Sequence, residues 1–63
     1  MTDLIPTGSR VRINKPSLRE HGTPGTVNDY DDRTLWYLIE LDLGPPWRGR
    51  YERCELDLLE QKP

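Results

Sequence analysis

Apolar residues in this chain recur with a period of two. Over residues 34–43, Leu35, Tyr37, Ile39, Leu41 and Leu43 alternate with Trp36, Leu38, Glu40 and Asp42. That is the side-chain period of a β-strand, not of a helix, and the aromatic and β-branched content agrees. The second face of this strand is apolar at one end (Trp36, Leu38) and acidic at the other (Glu40, Asp42). Residues 9–13 alternate in the same way, with Val11 and Ile13 inward and Arg10 and Arg12 outward. Residues 26–30, centred on Val27, form a further strand, joined to the long one through the polar turn Asp31-Asp32-Arg33 as in a hairpin. Gly44-Pro45-Pro46 cannot continue a ladder. Beyond it, residues 47–53 read as a fourth strand, Arg53–Glu55 as one 3₁₀ turn, and residues 56–59 as a closing strand.

Six prolines and five glycines leave no window for a long helix. Five short strands in 63 residues predict an all-β chain closed into a small barrel. Closure would also remove the exposed edges of a flat sheet. The expected core is Val11, Ile13, Val27, Tyr37, Ile39, Leu41, Leu56 and Leu58. Residues 1–7 are expected to be a flexible N-terminus, residues 8–60 the barrel and residues 61–63 a C-terminal tail. Gly22 and Gly25 bracket a tight turn stiffened by Pro24, where a positive φ or a close backbone approach favours a residue without Cβ.

A chain this short makes one thin-cored domain that buries about 60% of its unfolded surface. It can hardly enclose a deep substrate cavity, which argues against an isolated monomeric enzyme. The net charge of −2 gives no general attraction to nucleic acid or anionic membrane. The single Cys54 and single His21 supply neither an internal disulfide nor a metal-ligand set, so no cofactor is expected. The start Met1-Thr2-Asp3-Leu4-Ile5-Pro6 has no basic and apolar regions of a secretory signal, and no run approaches a membrane span. A cytoplasmic protein is the expectation. Cys54, flanked by Glu52 and Glu55, is expected to be a small buried apolar residue below the 3₁₀ turn.

Gly8, Val11-Arg12-Ile13, Gly22-Thr23-Pro24-Gly25-Thr26-Val27 and Cys54-Glu55-Leu56, in that order, resemble an SH3-like small barrel. Gly22 to Val27 is similar to the G-x-x-G-x-V hallmark of the KOW motif of NusG-type transcription factors and some ribosomal proteins. Gly8 to Ile13 is similar to the G-x-x-V-x-I opening of short accessory proteins such as the small SH3-like component of photosystem I and the variable chain of ferredoxin–thioredoxin reductase. The first resemblance implies a nucleic-acid or ribosome-associated module, the second a protein-bound accessory subunit. Both imply a single five-stranded SH3-like barrel with a short 3₁₀ turn before the last strand. KOW domains that bind nucleic acid tend to be basic, whereas here Asp29, Asp31 and Asp32 follow Val27 and would repel phosphate.

Pro45-Pro46-Trp47-Arg48-Gly49-Arg50-Tyr51 is the segment richest in binding chemistry. Aromatics interleaved with Arg stack on bases, grip phosphates or anchor a protein partner. Trp47, Arg48, Arg50 and Tyr51 are therefore the candidate centre of a contact surface, with Trp36 and Arg12 at its margin. Two structural alternatives stand beside this. Trp47 and Tyr51 cap the barrel while the Arg residues pair with Glu52, Glu55 and Asp57, and the loop over residues 14–22 folds Leu18 over Trp36. The expected function is a non-catalytic adaptor or accessory subunit, monomeric or weakly dimeric, that binds a protein partner or host complex. A KOW-like nucleic-acid module and an obligate oligomer with an active site between subunits are the alternatives.

Overall fold

The computed structural model describes residues 4–43 and 47–62. Gly44, Pro45 and Pro46, read above as a strand break, lie outside the described residues. Five strands follow in chain order: β1 (Arg10–Ile13), β2 (Pro24–Asp31), β3 (Trp36–Leu41), β4 (Arg48–Glu52) and β5 (Leu56–Glu60), with a 3₁₀ turn at Arg53–Glu55 between the last two. They form one antiparallel sheet in the order β4-β3-β2-β1-β5. The all-β reading and the 3₁₀ turn before the last strand hold.

The expected ladder closure does not. β4 and β5 remain the two edges of an open sheet. The sheet nonetheless curls, because β4 and β5 lie at opposite edges yet are separated by only three residues. A flat sheet would place those edges about 19 Å apart, four spacings of about 4.8 Å. The 3₁₀ turn, at about 2 Å rise per residue, covers less than half of that. At this corner β4 and β5 are joined by local 3₁₀ bonding, and no ladder runs between them. The turn is held by a reciprocal cap: each of Glu52 and Glu55 accepts the other's backbone N–H through its carboxylate, Glu52 N to Glu55 Oε1 at 2.9 Å.

The core is Ile5, Val11, Ile13, Val27, Tyr37, Ile39, Leu41, Tyr51 and Leu56, with Leu18 and Tyr30 packed against it. Leu58, expected there from its alternation, is 40% exposed. It pairs with Val11 on the inner side of β5, where the open sheet brings no strand over it. Leu35 also leaves the strand, ending the β2–β3 turn at φ 64° with its side chain exposed. Cys54 is exposed rather than buried, because three residues of 3₁₀ helix bury none of their side chains here.

The N-terminal segment is anchored at Ile5, whose side chain is buried and whose N–H donates to Tyr37 Oη at 3.1 Å. The other end is held by Lys62 N donating to the buried Ser9 Oγ at 2.9 Å. Gly22 has φ +86°, and a Cβ on Gly25 would stand 2.8 Å from both the Glu40 carbonyl oxygen and Ile39 Cγ2. The two glycines thus answer two different needs, left-handed backbone at the first and close strand packing at the second. No helix among the described residues is long and apolar enough to cross a membrane.

Candidate functional site

Strand alternation decides which side chains reach the outer face. On β3, Tyr37, Ile39 and Leu41 are buried, so Trp36, Leu38 and Glu40 point outward. The β3–β4 register sets Trp36 opposite Glu52, Leu38 opposite Arg50 and Glu40 opposite Arg48. On β2 the register shifts between Val27 and Asp29. This bulge reverses the alternation after Asn28, turning Tyr30 inward and leaving Asp29 and Asp31 outward beside Leu38 and Trp36.

These side chains line an open groove of about 500 Å³ walled by Asp29, Tyr30, Asp31, Thr34, Trp36, Leu38 and Arg50. Trp36 is 43% exposed, and the adjoining Leu35 is 60% exposed. Leu18 packs on the core instead of covering Trp36. At the hairpin end, Leu35 N donates to the Asp31 carbonyl at 2.8 Å and Arg33 N to Asp31 Oδ1 at 2.9 Å. Asp29 Oδ1 accepts its neighbour Tyr30 N at 2.8 Å. Tyr30 stacks at a tilt on Tyr37, ring centroids 4.6 Å apart. Its phenol is pushed up from the usual range, first by burial and then by the charges of Tyr37, Asp32 and Asp31.

Two of the four outward Arg residues are neutralised by ion pairs. Arg48 Nε lies 3.6 Å from Glu40 Oε2. Arg10 pairs with Asp42 and donates to Thr26 Oγ1 at 2.7 Å, and that pairing raises the guanidinium and holds the Asp42 carboxyl below its ordinary value. Arg50 makes no ion pair among the described residues.

Of the six residues singled out from the sequence, Trp36 and Arg50 meet in the groove and Arg48 stands one register pair further along β4. Arg12 is exposed on β1 opposite Asp57 and Pro24, with β2 and β3 between it and β4. Trp47, 47% exposed, belongs to a second depression of about 330 Å³ with Arg19, Glu20, Thr23 and Leu43. Tyr51 is on the inner face, only 3% exposed, its ring lying over Gly49. Its hydroxyl donates to Glu20 Oε2 at 2.7 Å, tying β4 to the loop over residues 14–23. Burial, then that bond, holds the phenol protonated far above its usual range.

Asp29, Tyr30, Asp31 and Thr34 are groove residues that the sequence pattern did not mark. Their only signal was the run of carboxylates after Val27, which reads equally well as a solvated turn. His21 is a loop acceptor, taking Lys15 N on Nδ1 at 3.0 Å. No three His, Cys, Asp or Glu side chains gather as a metal site among the described residues. Compared with known proteins, the chain matches no family model, no curated protein and no solved structure.

Proposed function

We propose that this protein is a non-catalytic, SH3-like binding module that docks a protein partner through the outer face of β2, β3 and β4. The observation that carries this reading is the groove wall itself: an exposed Trp36 with Leu38 on β3, and the Arg50 guanidinium, which makes no ion pair among the described residues, across from Leu38. Trp and Arg are the side chains that most often anchor protein interfaces. Here both stand on a rigid sheet, so little ordering entropy is lost on binding.

Charge favours protein over nucleic acid. The outer face sets Asp29, Asp31, Glu40, Glu52, Asp57 and Glu60 against Arg10, Arg12, Arg48 and Arg50. Two of those cations are already paired, whereas phosphate binding depends on a surplus of free cations. The accessory-protein resemblance fits this reading better than the KOW one.

The test is a photo-crosslinking amino acid placed at position 36 in cells, with the same group at position 57 on the far edge strand as control. The reading expects a discrete protein adduct at 36, identified by mass spectrometry and absent at 57. A nucleic-acid adduct at 36, or no adduct there, would overturn it.

A further inference from the structure

The groove is not electrically uniform, and its polarity selects what enters it. Asp29 and Asp31 line the β2 wall of the groove. Neither Asp carboxylate has a cationic partner among the described residues; each accepts only a local backbone N–H. Arg50 sits on the β4 wall, about 10 Å from the β2 backbone at two strand spacings. The acidic end is also the end that carries the exposed indole of Trp36.

We infer that this end of the groove receives a Lys or Arg side chain of the protein partner, and this inference rests on the reading of the outer face as a protein-binding surface. A cation over an indole face within about 6 Å is attracted by the ring quadrupole, and the two carboxylates beside it add charge-assisted hydrogen bonds. An apolar side chain would cover Trp36 but strand both carboxylates. A partner carboxylate or phosphate would meet Asp29 and Asp31. Arg50 keeps the β4 end positive, so the cation enters from the hairpin side, and a guanidinium fits two neighbouring carboxylates better than an ammonium does.

The experiment titrates the ¹⁵N-labelled 63-residue chain with the end-blocked peptide Gly-Gly-Arg-Gly-Gly and with its uncharged citrulline counterpart. The Arg peptide is expected to move the Trp36 indole N–H and the Asp29 and Leu38 amides. The citrulline peptide is expected to bind about tenfold more weakly, the sum of an exposed cation–π contact and an exposed ion pair. The variant Asp29→Asn/Asp31→Asn keeps acceptor oxygens for Tyr30 N and Arg33 N, so it should fold and lose the ion-pair share of that factor, about two- to fivefold. Equal binding of the two peptides, no shift at Trp36, or an Asn variant that binds like the parent would overturn the cationic site. The titration decides that site alone, while crosslinking at position 36 decides the protein-binding reading. A protein adduct at 36 together with a silent titration would retire the cation and leave the docking surface standing.

Discussion

Tyr51→Phe separates structure from contact at a residue that sequence pattern alone places on the binding surface. The substitution deletes one hydroxyl and keeps the ring against the core. What is lost is the 2.7 Å bond to Glu20 Oε2. Hydrogen bonds to charged groups contribute about 1.5–3 kcal/mol, and Glu20, partly open to water, recovers some of that in solvent, leaving a cost of about 1 kcal/mol. Total stability for 63 residues is roughly 3–9 kcal/mol at the usual amount per residue, so the change is readable. With a urea slope near 1 kcal/mol per molar, the midpoint should fall by about 1 M. The assay is urea unfolding followed by tryptophan fluorescence, run as a double-mutant cycle with Glu20→Gln. If the bond is as described, Tyr51→Phe costs much less in the Glu20→Gln background. The effect also has a pH sign. Glu20 is held below its ordinary value of 4.5, first by Tyr51 and then by its own backbone. The bond's contribution is therefore complete above about pH 4.5 and disappears as pH falls through the folded value. Additive costs in the cycle, or an unchanged midpoint accompanied by lost partner binding, would refute the placement of Tyr51.

Four further outcomes follow. Gly25→Ala drives a Cβ to 2.8 Å from the Glu40 carbonyl oxygen and should cost about 1–3 kcal/mol as an overpacking defect; wild-type stability would contradict the close β2–β3 approach. Leu35→Gly relieves the left-handed backbone at φ 64° and should stabilise the fold by up to about 1 kcal/mol in the same urea assay, whereas a loss would show that the leucine side chain supports the fold. Acid should weaken the protein, because Asp42 (by Arg10), Glu55 (by Lys15) and Glu20 (by Tyr51) all sit below their ordinary values. Their stabilisation is present above the unfolded values and lost as pH drops through the folded ones, so a urea midpoint that stays flat from pH 7 to about pH 3 would contradict these pairings. Cys54, exposed on the 3₁₀ turn, should react completely with a thiol reagent in the folded protein; reaction only in urea would return it to the core.

Strand alternation made most of the fold legible. Val11, Ile13, Val27, Tyr37, Ile39, Leu41 and Leu56 occupy the core as the period of two requires. Leu58 misleads because alternation tells which face a residue takes, and an open sheet edge leaves that face uncovered. The bulge after Val27 is equally silent in sequence, since one extra residue reverses the face of everything after it. That is why Tyr30 is turned inward and Asp29 and Asp31 line the groove. Tyr51 was obscured by its neighbours: Arg48 and Arg50 suggest a surface strand, yet the same alternation that exposes them buries it. Trp36 and Leu38 are readable as an outer apolar pair and Arg48 and Arg50 as a separate cationic stripe, but only the β3–β4 register puts Leu38 against Arg50 and leaves Trp47 in a different depression.

The most direct test of the groove is calorimetric binding of the partner captured at position 36 to wild-type protein and to Trp36→Ala and Trp47→Ala variants. A buried aromatic anchor typically costs about 2 kcal/mol or more on truncation, so Trp36→Ala should weaken binding about thirtyfold. Trp47→Ala should stay within about twofold. The opposite pattern, with Trp47→Ala damaging and Trp36→Ala neutral while both variants remain folded, would contradict the outer face of β2, β3 and β4 as the binding surface.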